Sequence, residues 1–147
     1  MKKVLFFLLT AVLIAPLWSC SDDDEPVVFG DIPSKAQVFV ESYFPGAKVV
    51  KVERDGKHSS AKYDVYLSDG TEIEFDSAGE WIDVDAPYGK AVPAAIVPSP
   101  IAEFVVDTYP DQLINEFSRE SYGYKAELTN EVELEFDHDY VFIRIER

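Results

Sequence analysis

Twenty-eight Asp and Glu stand against thirteen Lys and Arg in this 147-residue chain, a formal charge of −15. A field of that sign repels phosphate backbones and anionic headgroups, which excludes nucleic acid as an expected partner and leaves basic proteins, peptides and cations open. Eight Tyr and ten Phe beside a single Cys argue for a packed core, against a disordered acidic tail and against a disulfide framework.

Lys2 and Lys3 followed by the apolar run Val4 to Leu17 read as an export signal, too short to span a bilayer comfortably. The run leads through Leu17, Trp18 and Ser19 to Cys20, which resembles the lipobox of bacterial lipoproteins, although Trp18 stands where a small residue is usual. Residues 1–19 are therefore expected to be a lipoprotein signal peptide and Cys20 the lipidation site, so that the mature chain, at −17 once Lys2 and Lys3 are gone, is held to the membrane by its lipid. The alternatives are a secretory signal that ends near a cysteine by chance, or an uncleaved anchor. Residues 20–31 read as an acidic tether. Its opening, Ser21 to Glu25, also resembles the export signal that carries Bacteroidetes lipoproteins to the outer face of the outer membrane. The expected location is the cell envelope, as an outer-membrane lipoprotein that is periplasmic or surface-exposed.

The next segments repeat. Pro33 and Pro45 bracket Ser34 to Phe44, and Pro98 and Pro110 bracket Ser99 to Tyr109, at an offset of 65. Each segment predicts a short helix with Ser as N-cap, Gln37 at capping-box spacing in the first and Pro100 at the first helical position in the second. Ala36, Phe39, Val40 and Tyr43 share one helical face, as do Ile101, Phe104, Val105 and Thr108. Downstream, at an offset of 61, Tyr63, Val65 and Leu67 align with Tyr124, Ala126 and Leu128, and Ile73 and Phe75 with Leu134 and Phe136. The alternation of apolar and acidic residues predicts strands over 47–54, 61–67, 71–76 and 80–84, then 113–120, 123–129, 131–137 and 140–146. The expected fold is α+β: two tandem units, 32–84 and 98–147, each a helix plus four antiparallel strands. A linker over 85–97 joins them, and both helices lie on one face of a shared open sheet. Units of this size have little core of their own, so a common core is expected.

The strings Tyr43-Phe44-Pro45-Gly46-Ala47-Lys48-Val49-Val50-Lys51-Val52, Tyr63 to Asp76 and Gly79-Glu80-Trp81 resemble the PepSY-like periplasmic proteins of Bacteroidetes. The likeness extends from about Ile32 to Ile145. Asp111-Gln112 and Asn130-Glu131 depart from the family's Gly-Ala and Asp-Gly in the second copy. The resemblance implies the architecture of the beta-lactamase inhibitor protein and, by analogy, a binding or inhibitory module.

No nucleophile elbow, phosphate loop or zinc-protease signature is present, and neither an enzyme nor a cofactor is expected. Asp137-His138-Asp139 could suggest a metal, but neighbouring side chains on a turn diverge, and His58 falls in a hairpin loop. Glu72, Glu74, Asp76, Glu131, Glu133, Glu135 and Asp137 could gather calcium, yet they follow the strand period and no calcium-loop pattern accompanies them. If Tyr63, Val65, Leu67, Ile73, Phe75, Ile82 and Val84 face the helices, then Tyr66, Trp81, Tyr140 and Phe142 fall on the open face. There they form either a protein-binding patch or ordinary scattered aromatics. The expected function is a non-enzymatic envelope lipoprotein that binds a protein or peptide through that face; the alternative is a calcium- or cation-responsive protein binding through its acidic strands.

Overall fold

A computed structural model describes residues 25–55 and 62–146. The expectations for the leader, Cys20, the start of the tether and His58 lie outside these residues. In chain order the elements are β1 (Glu25–Pro26), a 3-10 turn (Phe29–Asp31), α1 (Ser34–Tyr43), β2 (Val49–Asp55), β3 (Lys62–Leu67), β4 (Glu72–Phe75) and β5 (Trp81–Asp85). They continue with α2 (Ser99–Thr108), β6 (Ile114–Glu120), β7 (Gly123–Leu128), β8 (Glu133–Asp137) and β9 (Phe142–Glu146). The strands form one open antiparallel sheet in sequence order, and the chain is α+β.

Proline at each boundary sets the helices. Pro33 and Pro98 themselves occupy the N-cap, not Ser34 and Ser99, and no side chain caps either helix. The capping box is not formed: the Gln37 amide instead donates back to the Ile32 carbonyl at 2.8 Å, tying α1 to the 3-10 turn. Ala36 and Val40, then Ile101 and Val105, are buried against the sheet as the spacing predicts. Val65, Ile73, Phe75, Val84, Phe117, Ala126, Leu134 and Phe136 answer them with no exposure at all, each large side chain contributing about 1.5–3 kcal/mol. Phe39 meets Phe75 edge-on at 5.6 Å and Phe104 meets Phe136 at 5.4 Å, which puts both helices on the same face of the sheet.

The halves are continuous. Val84 pairs with Phe117 and Asp85 with Glu116, so β5 and β6 carry the sheet across the middle, with one apolar core beneath. Residues 86–98 pack as part of that core through Val92, Ile96 and Val97. The Asn115 amide holds the connection in place by donating to the Ala86, Pro87 and Lys90 carbonyls.

Two features of the strands decide which side chains face where. In β5 the register slips between Glu74, opposite Asp83, and Phe75, opposite Trp81, leaving Ile82 extra. In β9 it slips between Glu135, opposite Arg144, and Phe136, opposite Phe142, leaving Ile143 extra. The hairpins before β4, β5, β8 and β9 close on left-handed residues. Gly70 and Gly79 have φ of 93° and 81°, and at the offset of 61 Glu131 and Tyr140 hold φ of 64° and 65° without being glycine. Asp76 and Asp137 clamp the second turn alike, each Oδ1 accepting two backbone N–H groups at 2.8 to 2.9 Å.

Candidate functional site: the open face of the sheet

The bulges overturn most of the aromatic assignment made from alternation. One extra residue between Val84 and Trp81 turns Trp81 to the helix side. It is 8 % exposed there, with Phe39 at 6.0 Å, Phe117 at 5.8 Å and the Arg119 guanidinium 4.1 Å above its ring. Phe142 is turned inward by the equivalent bulge and stacks on Phe104 at 4.8 Å. Tyr140 is swung by its left-handed backbone against Tyr124, ring centres 5.4 Å apart. Of the four aromatics expected on the open face, only Tyr66 lies there, with the Lys51 ammonium 4.9 Å from its ring.

Sequence reasoning missed a second open-face phenol, Tyr122, because it sits in the tight turn between β6 and β7 and belongs to no alternating run. Burial pushes it up to about 12, and the nearby carboxylates of Glu135, to which it hydrogen-bonds, and Glu120 add to the shift. Tyr66 is raised in the same way, first by burial and then by Glu72, which its hydroxyl also meets.

Between these phenols the face is a field of carboxylates, and cross-strand register lines them up. In one row Glu72 stands opposite Asp85, Asp85 opposite Glu116, Glu116 opposite Glu127, Glu127 opposite Glu133 and Glu133 opposite Glu146. Each neighbour along that row carries the same charge. In the adjacent row Glu53, Asp64, Glu74 and Asp83 follow one another before Ser118, Lys125, Glu135 and Arg144 complete it. Directly opposed side chains in a sheet have Cβ atoms about 5 Å apart, and like charges so placed destabilise the fold.

The cations are too few to neutralise the rows. Lys125, from the second row, reaches into the first, its ammonium 3.6 Å from Glu116 and 3.9 Å from Glu133; burial pulls its pKa down, but the surrounding carboxylates outweigh that and leave it raised. Arg144 donates to Glu135 at 2.8 Å, and Lys62 pairs with Glu74. Asp83 is left at the centre. One of its oxygens, Oδ1, is buried with no hydrogen-bond partner among the described residues. Burial first, and then the charges of Glu116, Asp85 and Glu74, push its carboxyl up to about 8. Asp85 and Glu116 are raised too, both chiefly by burial.

The remaining candidates do not gather at this face. His138 is an exposed turn residue whose Nε2 lies 3.2 Å from the Ser121 carbonyl. Among the described residues no three His, Cys, Asp or Glu stand together in a geometry that holds a metal. Two clefts of about 530 Å³ each lie beyond the C-terminal end of α1, around Pro45, Gly46 and Ala47. Their polar linings include Ser68, Asp69, Thr71, Lys90, Glu41 and Lys48.

Comparison with known proteins follows the same lines. A family profile described as "Putative beta-lactamase-inhibitor-like, PepSY-like" matches residues 18–63 and 61–144. No curated protein matches the chain. Among solved structures, a Bacteroides thetaiotaomicron protein described as a "putative calcium-regulated periplasmic protein" superposes with a TM-score of 0.80 at 32 % identity, covering 86 % of this chain and 98 % of its own. A "putative periplasmic protein" of Bacteroides vulgatus gives 0.78 at 33 %, covering 86 % and 99 %. A second from that organism, described as of unknown function, gives 0.79 at 28 %, covering 84 % and 99 %.

Proposed function

This chain belongs to the PepSY-like, beta-lactamase-inhibitor-like family, and we propose that it is a non-enzymatic module of the cell envelope whose open sheet face takes up a positively charged segment of another protein or peptide. The observation that carries this reading is the row of six carboxylates from Glu72 to Glu146, with every neighbour of like charge. A folded protein retains such a row at a cost in stability, and a cationic partner laid across the strands removes the cost on binding. Tyr66, opposite Glu72, and Tyr122, bonded to Glu135 from the β6–β7 turn, supply aromatic contacts on the face. The envelope setting is supported by the relatives described as periplasmic and by the leader ending at Cys20, whose lipid would hold the domain to the membrane. An inhibitory role, in the manner the family's description suggests, is one form such capture could take.

Calorimetric titration with an oligolysine peptide tests the reading. Replacing Glu116, Glu127 and Glu133 with Gln should weaken binding by an order of magnitude or more. Replacing the helix acids Glu41, Glu103 and Asp107, which are more exposed, removes the same charge elsewhere and should change it by less than about threefold. Equal losses in the two triple variants would reduce the face to a share of the general acidic field.

One observation favours a second reading, that the face responds to calcium: the Bacteroides thetaiotaomicron relative is described as calcium-regulated. Asp83 Oδ1 would be the natural first ligand, with neighbouring carboxylates moving to complete the set. A saturable calcium isotherm of one or two sites, in roughly the micromolar to sub-millimolar range, would select this reading. Weak uptake abolished by salt would leave the basic partner.

A further inference from the structure

The sheet is finished differently at its two edges. β1 is two residues long and contains Pro26, which has no N–H to offer another strand. β9, the opposite edge among the described residues, runs the five residues Phe142–Glu146 without proline. Val141 just before it and Ile143 and Ile145 within it are 60 %, 46 % and 42 % exposed. Unpaired backbone groups flanked by exposed aliphatic side chains form an edge that accepts a strand.

We propose that β9 pairs antiparallel with β9 of a second copy of this chain, about a twofold axis through Ile145, joining two sheets into one. Charge selects both the partner and the register. Residues directly opposed in adjacent strands share a face, so the axis must pass through a residue. An axis at Arg144 sets two arginines against each other. An axis at Ile143 sets Arg144, on the open face, against Phe142, which the bulge has turned to the helices. Only the axis at Ile145 opposes Arg144 to the partner's Glu146 twice over while stacking Ile145 on its own copy.

Both charges gain from this. Within one chain Glu146 stands opposite Glu133, so the six-carboxylate row ends on a like pair. Arg144 is 61 % exposed and meets Glu135 through Nη2, leaving the outer side of its guanidinium free to reach a second carboxylate. Pairing gives the last acid of the row its cation and continues the charged face into the second copy. The contact is small, below the roughly 1,200 Å² of a standard interface. Long-range repulsion between two strongly acidic bodies opposes it until salt screens them over about 8 Å. The association is therefore weak, and moderate salt strengthens it before higher salt dissolves the Arg144 to Glu146 pairs.

The axis makes a one-cysteine test possible. Cα atoms of directly opposed residues lie about 4.5–5.5 Å apart, within disulfide reach. The full chain carrying Ile145→Cys, oxidised with copper phenanthroline, should give at least roughly fivefold more cross-linked dimer than Ile143→Cys or the unsubstituted chain, whose Cys20 sets the background. Adding Glu146→Arg should lower the yield about three- to tenfold, and adding Arg144→Glu to that variant should restore it. Should the exchanged pair fail to fold because Glu135 loses Arg144, Glu146→Gln decides instead, and its yield must fall between those of the parent and Glu146→Arg. Equal cross-linking at positions 143 and 145, indifference to these charges, background yield throughout, or an adduct with a different protein would each overturn self-pairing. None of these outcomes depends on which partner the open face takes.

Discussion

Asp83→Asn should make the protein more stable, and only above a particular pH. In the folded chain the Asp83 carboxyl holds its proton up to about 8, against an ordinary value of 3.8, because it is buried beside Glu116, Asp85 and Glu74. Between those values the native state binds a proton that the unfolded state has released, so stability falls as pH rises through this window and levels off above pH 8. The native state is free of the penalty below about pH 4. A displacement of roughly four pKa units corresponds to a ceiling near 5 kcal/mol at about 1.36 kcal/mol per unit. Water reaching the exposed part of the group and adjustment of its neighbours should reduce this to about 1.5–3 kcal/mol. Asn keeps the shape and removes the charge. Urea unfolding of the chain without residues 1–19, followed by the fluorescence of Trp81, its one remaining tryptophan, measures the difference. The variant should exceed the parent by that amount at pH 8.5 and match it within about 0.5 kcal/mol at pH 4.5. Equal stability at pH 8.5, or an equal gain at both values, would show that the acidic face imposes no cost through Asp83.

Trp81→Ala should cost about 3–5 kcal/mol because the ring is buried between Phe39 and Phe117, whereas Tyr66→Ala on the open face should cost less than about 1.5; thermal or urea unfolding separates them. Glu131→Gly should raise stability by about 0.5–1 kcal/mol in the same assay, since it relieves a left-handed backbone at an exposed turn. Gly79→Ala should lower it by about 2 kcal/mol or more, because a Cβ there would lie 2.7 Å from Pro33 Cβ and 3.0 Å from the Ala36 nitrogen on a backbone of φ +81°. Cys20→Ala should move the protein from the membrane to the soluble envelope fraction on cell fractionation, and unchanged partitioning would assign the attachment to the apolar leader.

Elements were legible where local chemistry decides them. Paired prolines mark both helices, and alternation marks eight strands to within about two residues, because half-buried strands must present apolar side chains on one face. Alternation failed at Trp81 and Phe142 for one physical reason: a single extra residue, Ile82 or Ile143, reverses every facing beyond it, and nothing in the composition of either strand announces a bulge. Tyr140 was illegible for another. Its place in the repeat is a glycine in the first half, so a left-handed tyrosine directed at Tyr124 could not be read from propensity. The acids were visible strand by strand on the solvent side. Their alignment was not, since whether Glu116 meets a lysine or Glu127 across the sheet depends on register fixed by hairpins and bulges some distance away.

That alignment bears on why the charges sit where they do. Helix acids such as Glu103 and Asp107 occupy exposed positions where water screens them, at little cost to the fold. Those of β5 to β8 flank a central residue, Ser118, that is itself 4 % exposed, and Glu135, two strands along the same row, is 3 % exposed, so the middle of the open face is partly dry without any helix covering it. Charge repulsion is strengthened in such a place, and so is attraction to a cation brought against it. Local rules are broken on this face while the opposite face obeys them throughout, with Phe75, Phe117 and Phe136 fully buried beneath the helices. Proteins concentrate such violations at sites of function. A helix face repopulated with the same number of carboxylates would leave stability nearly unchanged and bind a basic peptide only through the mean field. The sheet face stores repulsion in a fixed geometry, and a partner with cations at the strand spacing of about 4.8 Å would be favoured over one of equal charge spaced differently.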